Sequence, residues 1–109
     1  GNKMIQYKIK KELFEAVMYI TLPHSKFKIL GEVIIYGEDT HISIADFFFK
    51  CNVWAFSLVP KYVLSSSIRS CSIYIQSTGT NFQFIKTFDN LSQKQALFDA
   101  CHYLLKLRK

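Results

Sequence analysis

The sequence predicts an α+β fold: a mainly antiparallel β-sheet packed by one amphipathic C-terminal helix. Leu97, Ala100, Cys101, Leu104 and Leu105 recur at i, i+3, i+4, i+7 and i+8, which lines one helical face. Before Asp89, short aromatic and β-branched runs are cut by turn signals at Pro23-His24-Ser25, Gly37-Glu38-Asp39-Thr40 and Ser77–Asn81, the punctuation of a sheet. The 109 residues fit a single domain, 1–109, long enough to bury its own core. Pattern alone leaves open whether the sheet partly closes into a barrel.

At the N-terminal end, Ile5, Tyr7 and Ile9 alternate with Gln6, Lys8 and Lys10, which predicts a strand with one wet, basic face. Leu13–Leu22 reads two ways. Leu13, Ala16, Val17 and Ile20 fit one side of a helix, whereas Val17, Tyr19 and Thr21 alternating with Met18, Ile20 and Leu22 fit a buried strand. Phe27–Tyr36 is a strand candidate with Val33, Ile34 and Ile35 at its centre and Gly31 as a bulge. Gly37–Thr40 turns it toward an antiparallel neighbour.

His41–Val59 supports two structures. Ile44, Phe47, Phe48, Cys51, Ala55 and Leu58 form a helical stripe over 43–58, with Asp46 and Lys50 spaced to pair on the other side. The strand-favouring Phe, Ile, Val and Trp content tips the balance slightly to two strands turning at Asn52. Pro60 ends either one. Ser65-Ser66-Ser67 reads as a short polar loop. Ile68–Gln76 and Phe82–Phe88 read as the strands of a hairpin. In the final helix, Asp89–Lys109, Ser92 and Gln95 have capping-box spacing, and Lys106, Arg108 and Lys109 complement the helix dipole. Phe82, Phe84 and Phe88 share one strand parity and are expected beneath that helix. Trp54 is expected in the core.

Composition narrows the function classes. Ten Phe and six Tyr in a chain that is 50% hydrophobic exceed what a small interior hides, favouring a partner surface or a homodimer. A net charge of +6 and a pI near 9.3 suit a polyanion such as nucleic acid or an acidic membrane surface. The alternative is charge that serves solubility only. Cys51, Cys71 and Cys101 are too widely spaced for a metal knuckle and odd in number. They predict free buried thiols and a cytoplasmic setting. No secretory signal is expected from a start carrying Lys8, Lys10 and Lys11, and the longest uncharged apolar run, Cys51–Pro60, is too short to span a membrane.

No catalytic, metal or cofactor site is assigned. His24, His41 and His102 lack ligand or nucleophile-pair spacing, and Glu38-Asp39 is a turn pair. Neither a Gly-x-Ser-x-Gly elbow nor a glycine-rich phosphate loop is present. The pattern with functional content is lysines beside aromatic rings: Tyr7 with Lys8 and Lys10, Phe27 between Lys26 and Lys28, and Lys86 on one strand parity with Phe82, Phe84 and Phe88. Lysines for phosphates and rings for bases are how many single-strand binders work. Of these, Tyr7, Lys8, Lys10, Lys26, Phe27 and Lys28 are the expected contacts of a non-enzymatic binding module that takes single-stranded nucleic acid on a basic sheet surface. The alternative is a protein-interaction or adaptor domain with incidental charge, either an obligate homodimer or a pleckstrin-homology-like barrel. Several antiparallel strands followed by one C-terminal helix is similar to the layout of such barrels and of some dimeric single-strand DNA binders, a likeness that fixes no function.

Overall fold

The computed structural model describes residues 6–108; Ile5 of the first predicted strand and Lys109 of the last helix lie outside them. Residues 6–10 form an extended strap rather than a sheet strand. The predicted alternation holds within it, with Tyr7 and Ile9 buried and Gln6, Lys8 and Lys10 in solvent. Helix α1 (Lys11–Met18) follows and buries Leu13, Phe14 and Val17, which resolves the ambiguous segment as a helix. It stops at Tyr19, whose backbone is left-handed with φ 58° and whose N–H caps the Glu15 carbonyl. The Glu15 carboxylate accepts the Leu22 N–H (2.6 Å) and the Lys11 ammonium (3.0 Å). These donors, the Leu22 N–H first, hold its pKa below the ordinary value.

A three-residue 3₁₀ turn, His24–Lys26, leads into the first sheet. Strands β1 (Phe27–Leu30), β2 (Val33–Tyr36) and β3 (Thr40–Ser43) pair antiparallel in that order. Gly31 is not a bulge. Leu30 pairs with Val33, so Gly31-Glu32 is a two-residue hairpin loop with φ 57° at the glycine, the glycine-first arrangement of such turns. The inner face carries Phe27, Ile29, Ile34, Tyr36 and Ile42 into the core.

Helix α2 (Ile44–Ser57) overturns the two-strand reading of His41–Val59. Ser43 caps it by accepting the Asp46 N–H at 3.0 Å. The helical stripe is buried at Ile44, Phe47, Cys51 and Ala55, with Leu58 following and Trp54 added. Intrinsic strand preference of Phe, Ile and Val loses here to tertiary burial of one continuous face. Asp46 and Lys50 form no ion pair.

The second sheet holds β4 (Lys61–Ser67), β5 (Ser70–Gln76) and β6 (Phe82–Asp89), antiparallel in that order. Ser65, Ser66 and Ser67 are strand residues, not a loop, paired with Ser72, Cys71 and Ser70. Between β5 and β6 the register shifts: Ile73 faces Lys86 but Tyr74 faces Phe84, leaving Ile85 as an extra residue. This bulge breaks the parity expected for the phenylalanines. Phe88 and Ile85 pack on the core, whereas Phe82 and Phe84 lie on the solvent face, 54% and 55% exposed.

Helix α3 (Gln93–Leu107) packs on all three strands of the second sheet and also on α2 and α1. Two-sided cover explains why its buried set, from Gln95 to Leu104, is broader than one stripe. No strand pairs across the two sheets, which α2 separates, so no barrel forms. The sheets are joined through rings. Phe98 of α3 lies 5.6 Å from Phe47 of α2, and Phe47 lies 5.2 Å from Phe14 of α1. Phe14 in turn meets Phe27 at 5.1 Å and Tyr36 at 4.9 Å on the first sheet.

Phe47→Ala should therefore destabilise the fold by about 3–5 kcal/mol in a urea titration, through lost burial and an unfilled cavity. The solvent-face substitution Phe84→Ala should cost under about 1 kcal/mol in the same assay. Equal costs would contradict the assignment of these two rings to core and surface.

Candidate nucleic-acid interface

The site is built where α3 meets the strap. Gln95, Asp99, His102 and Lys106 follow at i, i+4, i+7 and i+11 along α3, a spacing that keeps them on one side of a helix. The Gln95 amide brackets Lys8 as a neighbouring strand would: it accepts the Lys8 N–H at 2.8 Å and donates to the Lys8 carbonyl at 2.9 Å. It also donates to Asp99 at 2.9 Å. The expected capping box is thus half formed. Ser92 accepts the Gln95 N–H at 3.3 Å, but the Gln95 side chain serves the strap and Asn90 accepts the Ser92 N–H instead.

One turn further, His102 Nε2 accepts the Lys10 N–H at 3.0 Å. A nitrogen that accepts is unprotonated, so the ring is neutral with its proton on Nδ1. Burial holds its pKa below the ordinary value, and Lys10 adds to this, while Asp99 and Glu12 pull the other way.

Beside this contact runs a groove of about 690 Å³ lined by Lys10, Glu12, Asp99, His102, Lys106 and the rings of Phe88 and Tyr103. The rings stand 5.5 Å apart. The Lys86 ammonium sits over both, 5.0 Å from the centroid of Tyr103 and 5.1 Å from that of Phe88. Lys10, Lys86 and Lys106 have no carboxylate partner among the described residues. Asp99 is turned to Gln95 and Asn90, which donate to its two oxygens. Of comparable size is a cleft of about 620 Å³ at the ends of α1 and α2, but Arg108 is its single cation and its carboxylate, Glu15, is already engaged.

The six residues expected to contact nucleic acid are divided among different places. Lys8 and Lys10 are exposed on the strap and border this site. Lys26 and Lys28 belong to the first sheet's segment: Lys26 pairs with Glu38 at 3.3 Å, and Lys28 faces solvent opposite Ile35. Tyr7 is 4% exposed and meets Phe98 edge-on at 6.0 Å. Its hydroxyl donates to Glu32 at 3.2 Å, and burial first, then the Glu32 charge, pushes its pKa up. Phe27 is half-buried against Phe14. The expected stacking rings are thus core residues. Lys86 and Phe88 stand in the sequence's lysine-and-ring pattern, with Phe88 expected in the core, whereas Tyr103 and Lys106 escaped sequence reasoning as site residues. Lys86 and Phe88 are two apart on a strand, Tyr103 and Lys106 three apart on a helix, and only the packing of α3 on β6 joins them.

No group of His, Cys, Asp and Glu suited to a metal ion occurs among the described residues. Cys51, Cys71 and Cys101 are free and buried, on α2, β5 and α3 respectively. Burial raises the Cys71 thiol to about 11, and burial together with the neighbouring Cys51 holds Cys101 well above its ordinary range. Apolar surface remains elsewhere: Phe49, Val53 and Phe56 along α2, and Phe82 and Phe84 beside Tyr74 on the second sheet's solvent face. No helix of the described residues is long and apolar enough to cross a membrane. Comparison with protein-family models, with curated proteins and with solved structures finds no match to this chain.

The three buried thiols should be inert toward a thiol-reactive disulfide reagent in the native protein, because burial keeps the reagent from the sulfur atoms. All three should titrate once the protein is unfolded in guanidinium. Fast labelling of any of them in the native protein would contradict their burial.

Proposed function

We propose that the chain is a non-enzymatic, cytoplasmic binding module that takes single-stranded nucleic acid along the groove between the strap and α3. The observation that carries this reading is the convergence of three carboxylate-free ammonium groups, Lys10, Lys86 and Lys106, with the rings of Phe88 and Tyr103. Phosphates are drawn by the lysines and bases by ring faces, a combination that tolerates any sequence. Lys8, two residues from Lys10 on the exposed edge of the strap, extends the basic line. The net charge of +6 favours encounter with a polyanion at long range. The free thiols favour a reducing compartment.

A fluorescence-anisotropy titration with labelled single-stranded DNA and RNA at two salt concentrations tests this. Each lysine–phosphate contact contributes a slope of about −0.7 to log K against log salt. Lys86→Ala and Lys106→Ala should each weaken binding and reduce that slope by roughly this amount, while Lys28→Ala, on the first sheet, should change neither. Absence of binding at low salt, or binding indifferent to salt, would falsify the reading.

A second reading, a protein-interaction module or obligate homodimer, is favoured by the apolar stripe Phe49, Val53 and Phe56 and by the exposed Phe82 and Phe84. Light scattering separates it from the first. A mass of twice 12.7 kDa that persists on dilution supports the dimer, and a monomer at all concentrations removes it.

A further inference from the structure

We propose that the contact between His102 and the Lys10 N–H is a proton-operated latch: protonation of His102 releases residues 6–10 from α3 while the rest of the fold stays intact. The latch follows from the strap's geometry and is independent of what the groove binds. Residues 6–10 pair with no strand. Their backbone is held to α3 by side chains alone, through Gln95 at Lys8 and His102 at Lys10. A backbone N–H can donate only to an imidazole nitrogen that carries no proton. An imidazolium presents a donor at both nitrogens, so the Lys10 N–H would face another N–H and the hydrogen bond would be lost. Of the two ties to α3, the Gln95 amide cannot titrate, which leaves His102 as the pH-responsive one; the Tyr7 hydroxyl ties the strap to Glu32 in the first sheet's hairpin loop, not to α3.

The charged groups around the ring do not cancel this. Lys10 from the strap and Lys106 from α3 oppose a positive imidazole, whereas Glu12 from α1 and Asp99 from α3 favour it. The Lys86 ammonium lies over the neighbouring Tyr103 ring. Burial outweighs these neighbours and holds the latched histidine's pKa below its ordinary 6.5. The released ring regains solvent and the ordinary value. The open state therefore binds more protons than the latched state below pH 6.5, and opening grows as pH falls. The increase approaches about tenfold per pH unit and levels off at the latched pKa. Opening withdraws Tyr7 and Ile9 from the core and uncovers Phe98, which Tyr7 meets edge-on.

Amide hydrogen exchange followed by NMR on the full chain tests the latch, using protection factors so that the intrinsic pH dependence of exchange is removed. The expected result is a fall in protection at Lys8 and Lys10 as pH drops below 6.5, with Phe47 and Ile73 amides unchanged. In His102→Gln the side-chain carbonyl can accept the same N–H without titrating, and protection at Lys10 should be flat with pH. Constant protection in the parent protein, an equal fall in His102→Gln, or loss at Phe47 together with Lys10 would overturn the proposal. Should His102→Gln not fold, the parent's own His102 titration decides. A pKa below 6.5 whose midpoint coincides with the levelling of the strap amides supports the latch, and an ordinary pKa sinks it.

Discussion

The contact between Phe98 and Phe47 is the joint on which the rest of the molecule depends. The two sheets share no hydrogen bond, and each has a face that must be covered. Burying a sheet of three short strands requires something apolar against it. Here α3 covers the second sheet, α1 and the start of α2 cover the first, and the rings of Phe98, Phe47 and Phe14 fill the space between these helices. All three rings are fully buried. Tilted rings at such separations gain both apolar burial and favourable quadrupole contact. Removing any one would separate a sheet from its cover.

That joint also sets the position of the candidate site. Because α3 is held from two sides, its buried residues extend well around its circumference, and only a narrow polar stripe remains. The strap lies on that stripe. Gln95 is buried and fully engaged there, as a buried amide must be to avoid an uncompensated desolvation cost. The groove begins where the stripe passes the edge of β6, and there the packing places aromatic rings and unpaired lysines side by side. Charge and ring chemistry at this point are by-products of covering one helix with two layers.

Much of the architecture could be read from the chain. Residues Leu97 to Leu105 announced α3, and the cap at Ser92 marked its start. The turn at Gly37–Thr40 and the hairpin ending at Phe88 followed from local signals. Three features could not be read that way. Helix α2 is built from strand-favouring residues, and its periodicity prevailed only because a continuous core was available to receive Phe47, Cys51 and Ala55. The bulge at Ile85 has no glycine to announce it, yet it decides that Phe84 faces solvent and Phe88 does not. The strap at Tyr7–Ile9 alternates like a strand, but its hydrogen-bond partners are side chains from the far end of the chain. For the site the lesson is similar. Lys8, Lys10 and Lys86 stood beside rings in the sequence, but Lys86, Tyr103 and Lys106 meet the strap only through the docking of α3 on β6.

In the proposed function the working surface is this groove, and neither the lysines of the first sheet nor the exposed rings of the second. The most direct test is a two-dimensional NMR titration of isotope-labelled protein with a short single-stranded oligonucleotide. Shift changes should concentrate at Lys8, Lys10, Lys86, Tyr103 and Lys106, with Lys28 and Phe84 unmoved. Changes centred on Lys28, or on Tyr74 and Phe84, would contradict this assignment.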